Sequence, residues 1–304
     1  MFSNCQLEYI KAISPIHAGT GQGLGLIDMP IQRESHTSFP KIEGSSLKGA
    51  IKFHIYNEIR DYNRPFEDDK NKIEFTTFYD IFGSDENDSN DDSKASRIVF
   101  TDAKLLFFPV KAVDRLFYYV SCPYILKRWQ DEIESDAKFD YSSELKEGNC
   151  ICFNGQEKII LEDYLFESKS KDKDEKIFED DKLKSILNKE NTIIVSDQDF
   201  IDLVTMYIEV ITRNKINPKT GTAEASGLFT EEYLPSESIL YYQVLESPRF
   251  SEKANKNGDD NKKLQKPIEY YNKKLSTIFQ IGGNKTIGKG LVKRLENISS
   301  DKDE

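Results

Sequence analysis

The sequence predicts an α+β protein, and two features carry that prediction. Segments of strand character and segments of helix character are interleaved without the regular alternation that a doubly wound parallel sheet requires. No internal repeat of fixed period runs along the chain, which excludes solenoids and propellers. With 304 residues, 38 % of them hydrophobic, the chain can bury a sizeable core.

The elements follow in order. Residues 5–13 alternate loosely through Leu7, Tyr9 and Ala12 and predict a strand. Residues 45–60 predict a helix: Leu47, Ala50, Ile51, Ile55 and Ile59 recur at three/four spacing, with Ser45 or Ser46 as N-cap. Residues 97–110 and 113–120 are β-rich. Residues 191–195 and 207–213 predict strands around a short helix at 197–206. Residues 262–279 predict a second amphipathic helix with Ile268, Tyr271, Leu275 and Ile278 on one face. A Gly-rich turn and a last strand near 291–295 follow. The acidic stretches 61–97 and 129–190 contain the low-complexity runs 85–92 and 169–176, which cannot bury enough apolar surface to offset ordering entropy. Both stretches are therefore expected to be insertions, and the tail 299–304 to fray.

Composition excludes several classes. The longest apolar run, 105–110, is far short of the ~18 residues of a membrane span. The N-terminus lacks the basic-then-apolar layout of a signal peptide, and four cysteines do not make a disulfide scaffold. The expectation is a cytoplasmic protein with no membrane partner. Net charge is −11, from 42 Lys/Arg against 53 Asp/Glu, but it is unevenly spread. Residues 61–97 hold 5 basic and 11 acidic groups, and 129–190 hold 10 and 18. Residues 262–294 hold nine Lys/Arg against one acid, Glu269. Such segregation permits steering of a polyanion despite the acidic sum, although lysine-rich faces are also compatible with plain solvation.

Three glycine-rich segments carry polar chemistry. Residues 17–28 place four glycines within seven residues (Gly19, Gly21, Gly23, Gly25), but Ile27-Asp28-Met29-Pro30-Ile31 cannot open the helix that a dinucleotide fingerprint requires. The segment is either a loop approaching a ligand or a connector. Glu43-Gly44-Ser45-Ser46-Leu47-Lys48-Gly49 opens the first helix. A helix N-terminus favours anions, yet Lys48 and Lys52 place cations there, against the helix dipole unless an anion neutralises both. An ordinary capped helix with a solvated lysine fits the residues equally. Gly282-Gly283-Asn284-Lys285-Thr286-Ile287-Gly288-Lys289-Gly290 has more glycines than a β-turn needs, and such a loop can cradle a phosphodiester on its amides. No other centre emerges. Cys150-Ile151-Cys152 lacks a second pair for zinc, and His17, His36 and His54 form no spaced ligand set. There is no Gly-x-Ser-x-Gly elbow.

Together these segments resemble the RAMP superfamily of CRISPR proteins. The resemblance rests on the His17-Ala-Gly-Thr-Gly loop, Ile27-Asp28, Gln32-Arg33-Glu34, Pro40-x-Ile42-x-Gly44-Ser45-Ser46-Leu47-Lys48-Gly49, and Ile281-Gly282-Gly283 through Gly290. Thr212-Arg213-Asn214-Lys215-Ile216 and Gly227-Leu228-Phe229-Thr230-Glu231-Glu232-Tyr233-Leu234-Pro235 look like the thumb region of one branch, the repeated backbone subunits of type III-B (Cmr) effector complexes. The resemblance implies one RAMP domain over 1–304 with a ferredoxin-like (RRM-type) core, a β-hairpin thumb at 212–230 and acidic insertions. It implies assembly with copies of itself and other CRISPR effector subunits along crRNA. It also implies antiviral cleavage of single-stranded target RNA at regular intervals.

The aspartate that the resemblance makes catalytic is Asp28. RNA cleavage needs deprotonation of a 2′-OH, an in-line phosphate and charge stabilisation at the leaving 5′-oxygen. Asp28 is expected to serve as a base or to hold Mg²⁺ or Mn²⁺ weakly, with help from RNA oxygens. His17, Glu231 and Tyr233 are the further catalytic candidates. Arg33, Ser45, Ser46, Lys48, Lys52, Arg213, Lys215, Gly282, Gly283, Lys285, Gly288 and Lys289 are the expected RNA contacts, positioning a guide without reading its sequence. The alternatives are a non-catalytic crRNA-binding filament subunit or the equivalent type III-A backbone nuclease.

Overall fold

The structure is a computed structural model that describes residues 2, 4–21, 25–60, 69–84, 95–132, 145–169, 178, 180–224, 227–247 and 265–296, those at 69–73 by backbone only. The run 85–92, the run 169–176 apart from Lys169, and the tail 299–304, singled out above, lie outside the described residues. The chain opens with β1 (Asn4–Ala12), β2 (Lys41–Ile42), α1 (Gly44–Ile59) and α2 (Asp69–Phe82). Strands β3 (Ile98–Phe100), β4 (Ala103–Lys111) and β5 (Phe117–Ser121) lead to α3 (Pro123–Glu132). Next come β6 (Asn149–Cys152), β7 (Lys158–Leu161), β8 (Tyr164–Ser168), β9 (Thr192–Val195) and α4 (Asp197–Met206). The chain continues with β10 (Glu209–Arg213), β11 (Phe229–Tyr233), β12 (Ile239–Glu246), α5 (Pro267–Lys274), β13 (Ile278–Gln280) and β14 (Leu291–Arg294).

The α+β class holds. One mixed sheet runs β13-β14-β1-β12-β4-β5-β9-β6-β8-β7, with β2 added on β4 and β3 on β12. Its pairs are antiparallel except β5–β9 and β6–β8. Strands β10 and β11 form a separate antiparallel pair.

Alternation along the central strands sends successive side chains into two buried layers. Tyr9 and Tyr241 are opposed across β1 and β12, and Tyr9 receives the Trp129 indole N–H at 2.9 Å on the α3 side. Their neighbours Glu8 and Tyr242 are also opposed, and Tyr242 hydrogen-bonds Tyr271 of α5 at 2.8 Å on the other side. Burying Glu8 requires a full set of partners. Arg294 supplies two by a two-pronged contact at 2.7 and 2.9 Å, and the Gln6 amide and Lys182 complete them. Both faces of the central sheet are thus covered.

Several expectations need correction. Helix α1 begins at Gly44, with Glu43 at the N-cap position and neither serine capping. The Gly44 amide donates instead to Asp102 Oδ1 at 2.8 Å, a carboxylate from the turn after β3, so the cap is tertiary. The stretch 61–97 is not all insertion: α2 buries Phe75, Phe78, Ile81 and Phe82. Aromatic residues at helical spacing outweigh its charge, and Glu74 beside them is paired with Lys274 of α5. The stretch 129–190 contributes β6, β7 and β8 to the sheet, with Ile151, Ile159, Leu161 and Phe166 buried. In β7 the buried and exposed residues alternate, a period-two signal that net charge conceals. The second amphipathic helix is α5 alone, started by Pro267 at its first turn. Ile278 belongs to β13, opposite Lys293, and is half exposed. Its apparent helical spacing is a coincidence of two elements. None of the four cysteines is paired. Among the described residues no helix is long and apolar enough to cross a membrane.

Candidate functional site

Strand β11 organises the site. On one edge it pairs with β10, in a register that sets Thr212 opposite Thr230 and Ile211 opposite Glu231. On its other edge lies the glycine-rich loop from the first strand: Met29 N–H donates to Thr230 O at 3.0 Å and Glu232 N–H donates to Met29 O at 3.0 Å. Ile16 and Leu234 exchange a further pair of backbone bonds, 2.8 and 2.9 Å. Residues more than 200 positions apart are thereby laid side by side.

Asp28 sits at this junction and is exposed. Its Oδ2 accepts the Thr230 amide at 2.8 Å and the Thr230 hydroxyl at 2.9 Å, while its own amide donates to Thr230 Oγ1 at 3.0 Å. The Thr230 amide, and then the hydroxyl, hold the Asp28 carboxyl below the usual carboxylate range. Asp28 is therefore an ionised, solvent-facing carboxylate of defined orientation.

Glu231, one residue along, is the opposite case. It is 3 % exposed. Arg213 donates to its Oε2 at 2.8 Å and the Tyr233 hydroxyl donates at 2.6 Å. The Asn284 amide donates to its two oxygens at 3.2 and 3.3 Å. Burial alone would raise its pKa, but these donors outweigh burial and hold it below the ordinary range. Tyr233 is pushed up to about 12 by burial and by Glu231, so it stays a hydroxyl donor. Asn284 adopts a left-handed backbone (φ 63°) and also bonds the Tyr233 hydroxyl at 2.9 Å. One asparagine thus ties the C-terminal glycine loop to the β10–β11 pair.

Alternation along β11 places Glu231 and Tyr233 on one face and Thr230 and Glu232 on the other. The four catalytic candidates are consequently not brought together as one cluster. His17 joins the Tyr233 side, with ring centroids 5.5 Å apart. Its Nδ1 lies 2.8 Å from the Glu232 carbonyl, which can only accept, so Nδ1 carries the proton. Its Nε2 faces Gly19, where a Cβ would approach to 2.6 Å. No hydrogen bond among the described residues joins Asp28 to His17, Glu231 or Tyr233.

The expected RNA contacts divide similarly. Arg33 is occupied by the Ser38 and Val204 carbonyls at 2.9 and 3.2 Å and by Glu232. Arg213 holds Glu231 and Asn284. Lys52 donates to the Gly83 carbonyl at 3.1 Å, closing the end of α2. Lys289 stacks 4.7 Å above the Tyr233 ring and approaches Glu209 at 3.5 Å. Lys215 is exposed beside Glu224, and Lys285 lies 5.3 Å over Phe53. Lys48 is half-buried and has no acidic partner among the described residues; burial and then Lys52 push its ammonium down. Ser45 is exposed, and Ser46 Oγ accepts the Gln32 amide at 3.1 Å.

The glycines are less uniform than the sequence implies. A Cβ on Gly282 would meet the His17 carbonyl at 2.3 Å and one on Gly290 the Ile281 carbonyl at 2.0 Å, both at positive φ. Those two close the loop against the protein itself. Gly288 has open space around it, and Gly283 donates its amide to the His17 carbonyl at 2.9 Å. Sequence reasoning missed the roles of Thr230, Asn284 and Gln32. Gln32 bridges the Gly19 carbonyl, Ser46 and the Glu43 amide. An asparagine beside paired glycines was a usable signal for a left-handed turn, whereas nothing local marks Thr230.

A fold with this sheet, and a glycine loop docked against the β10–β11 pair, defines a recognisable class. The RAMP superfamily model matches residues 9–293, and the chain belongs to that superfamily. More particularly, it is 34 % identical over 298 residues, 93 % of this chain and 92 % of the relative, to the CRISPR system Cmr endoribonuclease Cmr4 of Pyrococcus furiosus. The crystal structure of oligomeric Cmr4 from the same organism superposes with a TM-score of 0.63 at 27 % identity, covering 97 % of this chain and all of that one. A cryo-EM structure of the type III-B Cmr-beta complex bound to cognate target RNA contains a chain of the same fold, with a TM-score of 0.68 at 24 % identity and 97 % of both chains covered.

Proposed function

We propose that this chain is the repeated backbone subunit of a type III-B CRISPR effector complex. It assembles with copies of itself and other effector subunits along crRNA in the cytoplasm, and cuts complementary target RNA at regular intervals. The observation that carries this reading is an exposed, ionised Asp28 held at the foot of a hairpin in a chain 34 % identical to a Cmr endoribonuclease. In it, residues 1–304 form one RAMP domain with a ferredoxin-like core, and the segment 212–230 is the thumb.

Asp28 accepts the proton of the 2′-OH as that oxygen attacks the adjacent phosphate; the P–O5′ bond breaks, leaving a 2′,3′-cyclic phosphate, and the departing 5′-oxygen takes its proton from water. Its Oδ2 is already engaged twice, so the proton goes to Oδ1. Glu231, Tyr233 and His17 hold the hairpin foot and the glycine loops in register. Lys48, Lys52, Lys285, Lys289, Lys215, Arg33 and Arg213, with Ser45, Ser46 and the glycine loop at Gly282, Gly283 and Gly288, form the surface that takes the RNA backbone, and Lys48 has no acidic partner among the described residues to give up. Mg²⁺ or Mn²⁺ would arrive with the RNA. Among the described residues no three His, Cys, Asp or Glu side chains converge on a metal position, so the donor set does not fit a resident ion.

The test is to incubate the guide-loaded complex with complementary RNA and Mg²⁺, comparing wild type with Asp28→Asn. Evenly spaced products that vanish in the variant are the expected result. Identical cutting by both would move catalysis elsewhere, and binding without cutting by either would make the subunit a scaffold.

A further inference from the structure

The Asp28 corner contains more than the carboxylate. Three hydrogen bonds link Asp28 to one residue, Thr230, across 202 positions of sequence. The ring they form is closed: Asp28 N–H to Thr230 Oγ1, Thr230 Oγ1–H to Asp28 Oδ2, and Thr230 N–H to the same Oδ2. The hydroxyl is thus an acceptor and a donor at once. An exposed aspartate otherwise samples several rotamers, and a base that must meet a 2′-OH within hydrogen-bond reach loses rate with each misplaced one.

We propose that Thr230 is the positioning residue for Asp28, holding its carboxylate in one rotamer with Oδ1 turned to the RNA. This rests on the reading of Asp28 as the base. The hydroxyl does what the neighbouring chain cannot. Glu231 is consumed by Arg213, Tyr233 and Asn284. Glu232 accepts the Ile31 amide at 3.0 Å and pairs with Arg33. On β10, Thr212 is the residue opposite Thr230, and the charges flanking it are Glu209, beside Lys289, and Arg213, on Glu231. No charged group among the described residues forms an ion pair with Asp28. Its orientation depends on Thr230.

Thr230→Val keeps the shape, the β-branch and the backbone amide, and removes only the hydroxyl. Thr230→Ser keeps the hydroxyl. In the guide-loaded complex, Thr230→Val is expected to cut target RNA roughly 10- to 100-fold more slowly with target binding unchanged. The acid limb of its pH–rate profile moves to higher pH, because a carboxylate with fewer donors is easier to protonate. Thr230→Ser recovers most of the loss. Carboxyl ¹³C NMR of the free chain reads the same change without catalysis: the Asp28 titration midpoint rises in Thr230→Val and returns in Thr230→Ser. A Thr230→Val profile superimposable on wild type, in a complex where Asp28→Asn is inactive, overturns this inference and leaves the proposed function standing. Wild-type cutting by Asp28→Asn overturns both.

Discussion

Two carboxylates, one on β11 and one on the loop docked beside it, meet opposite fates. Asp28 is exposed and answers to a single residue, Thr230. Glu231 is buried and saturated by an arginine, a tyrosine and an asparagine. Both are held below the usual carboxylate range, so acidity alone does not tell them apart. Availability does. A carboxylate whose oxygens are filled from three directions can hold elements together but has no lone pair to offer a substrate. One that is held by one side and open on the other can accept a proton without the fold giving way.

The sharpest way to break the comparison is to remove each charge in turn. Asp28→Asn is expected to slow cutting by about 10²–10⁴-fold while thermal stability stays within about 0.5 kcal/mol of wild type. Glu231→Ala leaves Arg213, Tyr233 and Asn284 without their shared acceptor, and is expected to destabilise the chain by about 1–3 kcal/mol, read as a lowered melting temperature. A Glu231→Ala chain as stable as wild type would remove the distinction. The pH dependence follows from the depressed value in the folded chain. The contribution of Glu231 is complete above the unfolded carboxylate value and is lost as pH falls through the lower folded one. The stability gap between wild type and Glu231→Gln should therefore close in strong acid, as denaturation across pH would register.

Smaller effects sharpen the contrast. Asn284→Ala cuts the tie between the C-terminal loop and the β10–β11 pair, and should cost about 1 kcal/mol while speeding amide exchange in residues 282–290. Unchanged exchange there would argue that the glycine packing at Gly282 and Gly290 suffices. Lys48→Ala removes a cation with no acidic partner among the described residues, and should weaken RNA binding similarly for unrelated spacers. The salt slope should drop by about 0.7, one single-strand phosphate contact. A spacer-dependent loss would show that Lys48 does more than position.

Much of the frame was legible. The first strand, the helix at α1, the strand-helix-strand run through β9, α4 and β10, and the closing strand β14 all carry local periodicity, and local periodicity is what a single sequence displays. The elements inside the acidic stretches were hidden because charge was averaged over segments, while Phe75, Phe78 and Phe82 were spaced for one face of a helix. The central strand β12 gave no alternation to read, since Ile239, Leu240, Tyr241 and Tyr242 are buried on both faces. The cap of α1 was misassigned for a related reason: its acceptor, Asp102, arrives from another element.

Residue types and spacing determined that this chain carries an aspartate beside a glycine loop, lysines at a helix start, and a second glycine loop near its end. They also determined the class of fold, because hydrophobic period and turn residues act within a few positions of one another. Which carboxylate would stay open was decided only by tertiary structure. Asp28 meets Thr230 across 202 positions, and Glu231 meets Asn284 across 53. Burial and pairing at such distances are properties of the packed sheet, where a neighbour in space has no signature in the residues next door.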